Sequence, residues 1–287
     1  MKGVILAGGT GSRLLPLTKV INKHCLPIGD RPMLQHCVEK LYNASITDIM
    51  VITGGEHLGG IAELLGSGKD FGCDFTFRVQ DRAGGIAEAL RLCRDFVGDG
   101  DVCVVLGDNI FEDNLHEYIS QFYINKAAGM GAMNILKEVP DPERFGVAEL
   151  GYQQSAPNSK EYDGKSLQSI KTSVWKDVHE PHLIQDVKDN FNMVPSRYRI
   201  VVKGIEEKPD KAKTNWAVTG IYMYDNHVFD IVDQQEYSNR DELEITNVNN
   251  AYIELGKMGC AFFEGWWTDA GTHESYAKAN ELIRNER

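Results

Sequence analysis

Through its first 106 residues the chain alternates short apolar runs with segments whose apolar positions recur every three or four residues. The runs at 2–7 (KGVILA), 48–53 (DIMVIT), 74–79 (DFTFRV) and 102–106 (VCVVL) have the length and β-branched content of strands. Between them, 33–43, 58–65 and 85–96 carry helical spacing. Strands alternating with helices predict βαβ units and a parallel sheet, an α/β fold. Ligands of such sheets bind beyond the carboxyl ends of the strands, so the residues just after each run are where chemistry is expected.

The second half is patterned differently. GAMNILKE, FGVAEL, YRIVVKGIEEKP and WAVTGIYMYD are strand-like, and helices are predicted over 227–234, 246–255 and 273–285. From 151 to 199 the chain is polar and weakly periodic, yet it holds Trp175, Leu183, Ile184 and Phe191, enough for a small packed excursion. That stretch is predicted to be an insertion into a single domain, with one functional half over about 1–130 and the other over about 131–287.

Composition narrows the function. A net charge of −12 disfavours nucleic acid or an anionic membrane as partner, because neutralising phosphates takes a basic face. The six cysteines form no CxxC pair, the usage of free thiols in a reducing compartment. Only five apolar or small residues separate Lys2 from the glycines, too few for a signal peptide, and the expected location is the cytoplasm.

The loop after the first strand, GGTGSRL, is rich enough in glycine to wrap phosphates with backbone amides. A Walker A loop would need GK[ST] where Gly11 is followed by Ser12 and Arg13, and a dinucleotide fingerprint would need glycine where Leu14 stands. What is left is a loop ending in Arg13, a planar fork of donors, with the point charge of Lys23 ten residues on. A tight βα turn would explain the glycines as well.

Three further clusters follow predicted strands. Gln80, in VQDRAGGIAEAL, can both donate to and accept from a base edge, with Gly84 and Gly85 permitting close approach. Asp108, in VVLGDN, is placed to hold Mg²⁺ through one carboxylate or to cap a turn. Glu207 and Lys208, in GIEEKP, can grip sugar hydroxyls and a phosphate or form a solvated turn. A second lone carboxylate, Asp269, lies far downstream in WWTDAGT. Two metal-capable aspartates, a cationic loop and a slot for a base suit nucleotidyl transfer, in which an already ionised phosphate oxygen attacks and needs no general base. His179 and His182, in HEPH, lack the HExxH arrangement and are expected to be surface residues.

LAGGTGSRLLPLT, NKHCLPIGDRPM, VQDRAGGIAEAL, LGDNIF, EEKP, NWAVTGIYMYD, LEITNVNNAY and WTDAGT occur in this order, and as a set they resemble the sugar-phosphate nucleotidylyltransferases, in particular their thymidylyl-transferring branch. The resemblance implies a Rossmann-like, mixed and mostly parallel sheet flanked by helices, of the nucleotide-diphospho-sugar transferase type, with the insertion on the sugar-binding half. It implies that Leu6, Gly8, Gly9, Thr10, Gly11, Arg13, Gln80, Gly85 and Asp108 bind the nucleotide. Arg13, Lys23 and Asp108 would be catalytic, and Asp108 and Asp269 would hold Mg²⁺. Asn109, Gly146, Glu207, Lys208 and Val218 would bind the sugar phosphate. The implied reaction joins dTTP and α-D-glucose 1-phosphate into dTDP-glucose and pyrophosphate, in a homo-oligomer, dimer or tetramer. The same chemistry with UTP or another hexose 1-phosphate, and a non-catalytic nucleotide-sugar-binding relative, remain as alternatives. Ala83, Cys25 and Phe145 depart from the family's usual proline, leucine and tyrosine.

Overall fold

The structure, a computed structural model, describes residues 1–154 and 198–285. The insertion expected over 151–199 therefore lies, between 155 and 197, outside the described residues, and His179 and His182 lie there too. Strand β1 (Lys2–Ala7) leads through the glycine loop and a hairpin of β2 (Pro27–Ile28) and β3 (Arg31–Pro32) into helix α1 (Met33–Asn43). Then come β4 (Asp48–Gly54), α2 (Leu58–Leu65), β5 (Asp74–Gln80), α3 (Ile86–Arg91), α4 (Arg94–Val97) and β6 (Val102–Leu106). β7 (Asn109–Phe111), α5 (Leu115–Ala127) and β8 (Ala132–Glu138) precede β9 (Gly146–Gln154). From Tyr198 onward the order is β10 (Tyr198–Glu207), β11 (Trp216–Tyr224), α6 (Val228–Asp233), α7 (Ile245–Glu254), β12 (Met258–Phe262), β13 (Trp267–Asp269) and α8 (His273–Asn285).

The main sheet runs β10-β9-β11-β6-β1-β4-β5, with β8 paired to both β11 and β12. β6, β1, β4 and β5 are mutually parallel, as the βαβ alternation predicts. β11 runs antiparallel to β6, β8 and β9, which makes the sheet mixed in its second half. Parallel strands need both faces covered. In β1, Val4 and Leu6 enter one apolar cluster with Ala87, Leu90 and Val248, while Ile5 and Ala7 enter another with Leu34, Val38 and Leu41. Each fully buried Val, Ile or Leu side chain stabilises the fold by roughly 1.5–3 kcal/mol before entropy is counted, so the unbroken apolar run of β1 secures its place at the centre. A third cluster of Ile28, Met33, Ile110, Ala270 and Ala279 holds α8 and the β7-β13 ribbon against the β2-β3 hairpin.

The helix expected over 85–96 is interrupted. The amides of Leu92 and Cys93 bond to Ala89 and Leu90, three residues back, and this tightening lets Cys93 enter the core between α3 and α4. The apolar spacing does not predict α5: Leu115, Tyr118 and Phe122 form its buried side, but Tyr123 and Ile124 face solvent and blur the pattern. All six cysteines are free thiols. No helix of the described residues is long and apolar enough to cross a membrane.

Candidate active site

The carboxyl ends of β1, β4, β5 and β6 converge on the glycine loop. Gly8 faces Gln80 at the end of β5: a Cβ placed on it would stand 3.5 Å from Gln80 Oε1. Gly9 faces Lys23, with the Nζ 3.3 Å from such a Cβ. Gly11 has φ +68°, and a Cβ there would lie 2.8 Å from Thr18 Cγ2, so only glycine fits. Thr18 Oγ1 donates to Gly11 O at 2.7 Å and fixes the loop. Thr10 and Arg13 are exposed at its rim, whereas the Leu6 side chain packs in the core. Gly85, at φ +94°, is pressed against the backbone of Leu243.

Lys23 lies in a single helical turn whose cap, Asn22 Oδ1, accepts from the His24 amide at 2.8 Å. That turn sends Lys23 Nζ to within 2.5 Å of Asp108 Oδ2, just beyond β6. Burial alone would raise the Asp108 carboxyl, but the Lys23 ammonium, with Asn109 donating to Oδ1 at 3.1 Å, holds it well below the usual carboxylate range. His24, buried behind the pair, is pushed down to about 3 by burial and by the Lys23 charge, so it is neutral.

Asp269 ends β13, and the β7-β13 register sets it opposite Asn109, next to Asp108. A Cβ built on Gly271 would stand 3.2 Å from Arg13 Nη2, 3.4 Å from Asp108 Oδ2 and 3.6 Å from Asp269 Oδ2. Residues far apart in sequence thus meet around one point. The Asp269 carboxyl is pushed up to about 6 by burial and by the like charge of Asp108, although Arg144 Nη2 donates to its Oδ1 at 3.1 Å. Two carboxylates facing one another at the rim of a cleft fit a divalent cation. Among the described residues no third acidic, histidine or cysteine side chain joins them. This suits Mg²⁺, which takes one or two carboxylates and fills its other positions with water and phosphate oxygens.

Beside this point opens a cleft of about 250 Å³ lined by Arg13, Asp108, Asn109, Gly146, Glu207, Lys208, Val218 and Asp269. The expected sugar-side residues are therefore gathered in one place. Gly8, Gly9, Lys23, Gln80 and Gly85 lie on the adjoining edge, over the ends of β1 and β5. Glu207 Oε2 accepts from Thr246 Oγ1 at 2.6 Å, and its Oε1 lies 3.3 Å from Lys208 Nζ. Asn109 Oδ1 accepts from Trp267 Nε1 at 2.7 Å and from the Gly220 amide at 2.9 Å, so much of its polarity serves the walls.

Sequence reasoning missed Arg144, Arg240, Glu244, Thr246 and Trp267, all on the cleft wall. Arg240 Nη2 is 2.8 Å from Glu244 Oε2 and 3.5 Å from Glu207 Oε1. Its surroundings, NRDELE, read as a solvated turn, and no local pattern says that the turn folds over the cleft. Arg144 stands one residue before the strand-like FGV, a position that did carry a signal.

The chain matches the model of the nucleotidyl transferase family over residues 2–161 and 188–286. It belongs to that family. The glucose-1-phosphate thymidylyltransferase of Neisseria meningitidis is 35% identical over 286 residues, spanning 99% of this chain and 83% of its own length. The low-salt glycan biosynthesis nucleotidyltransferase Agl11 of Haloferax volcanii is 35% identical over 288 residues, covering 100% of this chain and 67% of the relative. A crystal structure of a putative glucose-1-phosphate thymidylyltransferase from Bacillus anthracis superposes with a TM-score of 0.77 at 45% identity, covering 99% of this chain and 95% of the other. A UDP-glucose pyrophosphorylase structure at 21% identity and TM-score 0.73 shares the fold. This nucleotidyltransferase is an enzyme, and the glycine loop, the paired aspartates and the EEKP strand end are the parts that a nucleotidyl transfer can use.

Proposed function

We propose that this nucleotidyltransferase moves the thymidylyl group of dTTP onto α-D-glucose 1-phosphate, with Mg²⁺, releasing pyrophosphate. The observation that carries the reading is the convergence of Arg13, Asp108 and Asp269 on one point, between the glycine loop and a cleft holding Glu207 and Lys208. Gln80 and Gly85 would hold the base, the amides of residues 8–11 the triphosphate, and Lys208, with Arg240 nearby, the sugar's phosphate. Glu207, anchored by Thr246, is placed to accept from hexose hydroxyls. A sugar-phosphate oxygen attacks the α-phosphorus in line, one P–O bond forms, and the bond to the departing pyrophosphate breaks. The attacking oxygen is already ionised, so no proton moves and the neutral His24 has no base role to fill. Arg13 and Lys23 stabilise charge on the transferring phosphate and the leaving pyrophosphate, a preorganised electrostatic role. Mg²⁺ held by Asp108 and Asp269 would add Lewis-acid neutralisation of the α-phosphate.

A second base, uracil, is favoured by one observation: the Gln80 oxygen faces the loop, where it would accept equally from the N3–H of thymine or uracil. Pyrophosphate release from dTTP, UTP and dCTP against glucose, galactose and mannose 1-phosphates tests the assignment. The highest kcat/KM is expected for dTTP with glucose 1-phosphate; no turnover with dTTP and any of these sugars would overturn it.

A further inference from the structure

Next to the base end of the site lies a buried carboxylate that the reaction does not use. Glu88, on α3, is 8% exposed. Its Oε2 accepts from Arg82 Nη2 at 2.9 Å and from the Tyr237 hydroxyl at 2.9 Å, and its Oε1 accepts from Gln80 Nε2 at 3.2 Å. Burial works against its charge, yet the hydrogen bonds from Tyr237 and Gln80 and the Arg82 guanidinium outweigh burial and hold the carboxyl below its usual range. Arg82 also pairs with Asp241 at 2.7 Å and lies over the Tyr237 ring at 4.6 Å, closing the carboxylate off from solvent.

An ionised carboxylate only accepts hydrogen bonds. The second hydrogen of Gln80 Nε2 goes to Gly85 O at 3.2 Å, and a carbonyl also only accepts. Turning the Gln80 amide over would set its oxygen against two acceptors, the Glu88 carboxylate and the Gly85 carbonyl, and would lose both hydrogen bonds that Gln80 Nε2 donates. The network therefore fixes the amide with its oxygen toward Gly8 and the nucleotide loop.

We propose that Glu88 is a positioning residue for base choice: it locks the Gln80 amide so that an acceptor faces the base, selecting pyrimidine-2,4-diones, whose N3 bears a hydrogen, over cytosine, whose N3 bears a lone pair. The inference rests on the reading of Gln80 as the base contact. A carboxylate is what the device requires, because an amide at position 88 could offer either end and both amides could turn together.

The test is kcat/KM for dTTP and dCTP, each with glucose 1-phosphate, in wild type, Glu88→Gln and Tyr237→Phe. An acceptor that a bound base covers and that then demands a partner supports discrimination of about ten-thousandfold in the wild type. In E88Q the dTTP:dCTP ratio is expected to fall at least tenfold, while Y237F, which keeps the carboxylate on Gln80, holds the ratio within about threefold. Equal slowing of both substrates in E88Q would make Glu88 merely structural and overturn the proposal. A wild type without preference for dTTP over dCTP would instead overturn the reading of Gln80. Should E88Q not fold, selective ¹⁵N-glutamine labelling of the wild type decides: slow exchange of the Gln80 amide hydrogens supports the lock, and exchange at the rate of a solvated amide overturns it.

Discussion

Asp108 and Asp269 share a residue type and lie on either side of one point beside Gly271, yet they hold their protons differently. Asp108 is kept ionised by Lys23, while Asp269, buried beside that negative charge, is raised to about 6 from an ordinary value of 3.8. A raised carboxyl is charged only above its pKa, so a cation at this site competes with a proton below about pH 6 and with none well above it. Mn²⁺ affinity, read by electron paramagnetic resonance between pH 7.5 and 5, is expected to be flat at the upper end and to weaken as pH falls through about 6. An affinity independent of pH would contradict the pairing. The same shift has a sign for stability: the folded chain holds this proton more tightly than the unfolded chain. The contribution is thus full below about pH 4 and is lost as pH rises through about 6.

At the scale of elements, the ribbon β7-β13 does most to build the site, although each strand has only three residues. Its register brings Asp269 to Asn109, and Asn109 ties the ribbon to β11 through the Gly220 amide and to Trp267 through the indole. A Cβ on Gly220 would stand 2.5 Å from Asn109 Nδ2. Gly220→Ala is therefore expected to destabilise the protein by about 1–3 kcal/mol, the cost of overpacking a filled core, and to raise KM for the sugar phosphate. A thermal melt and KM both unchanged would show that Asn109 has room to move. The same ribbon marks where sequence reading stops. β1, β6, α1 and α2 were legible to the residue, because buried apolar runs and amphipathic spacing are local properties. A three-residue strand has no period to read, and its partner is more than 150 residues away. Asp108 was legible as a candidate from its place after a strand and Asp269 as a lone carboxylate in WWTDAGT, but their approach to Gly271 was not. Arg240 was illegible because only the fold turns its acidic loop toward Glu207.

For the whole molecule, the net charge of −12 and the proposed anionic substrates are reconciled by placement: Arg13, Arg144, Lys208 and Arg240 all line one cleft, with Lys23 at its edge. Local cations of this kind set the potential that a phosphate meets. The two halves of the site are joined by the loop between α6 and α7. The Leu243 amide donates to Gly84 O at 2.8 Å beside the base edge, and the same loop presents Arg240 and Glu244 to the cleft. Both carboxylates at the meeting point are proposed to serve the transfer. The most direct test is the rate of pyrophosphate release from dTTP and glucose 1-phosphate at saturating Mg²⁺ in wild type, Asp108→Asn and Asp269→Asn. Each variant is expected to be slower by about a hundredfold or more, the scale of losing one preorganised contact to a transition state; near-wild-type rates in both would contradict the account.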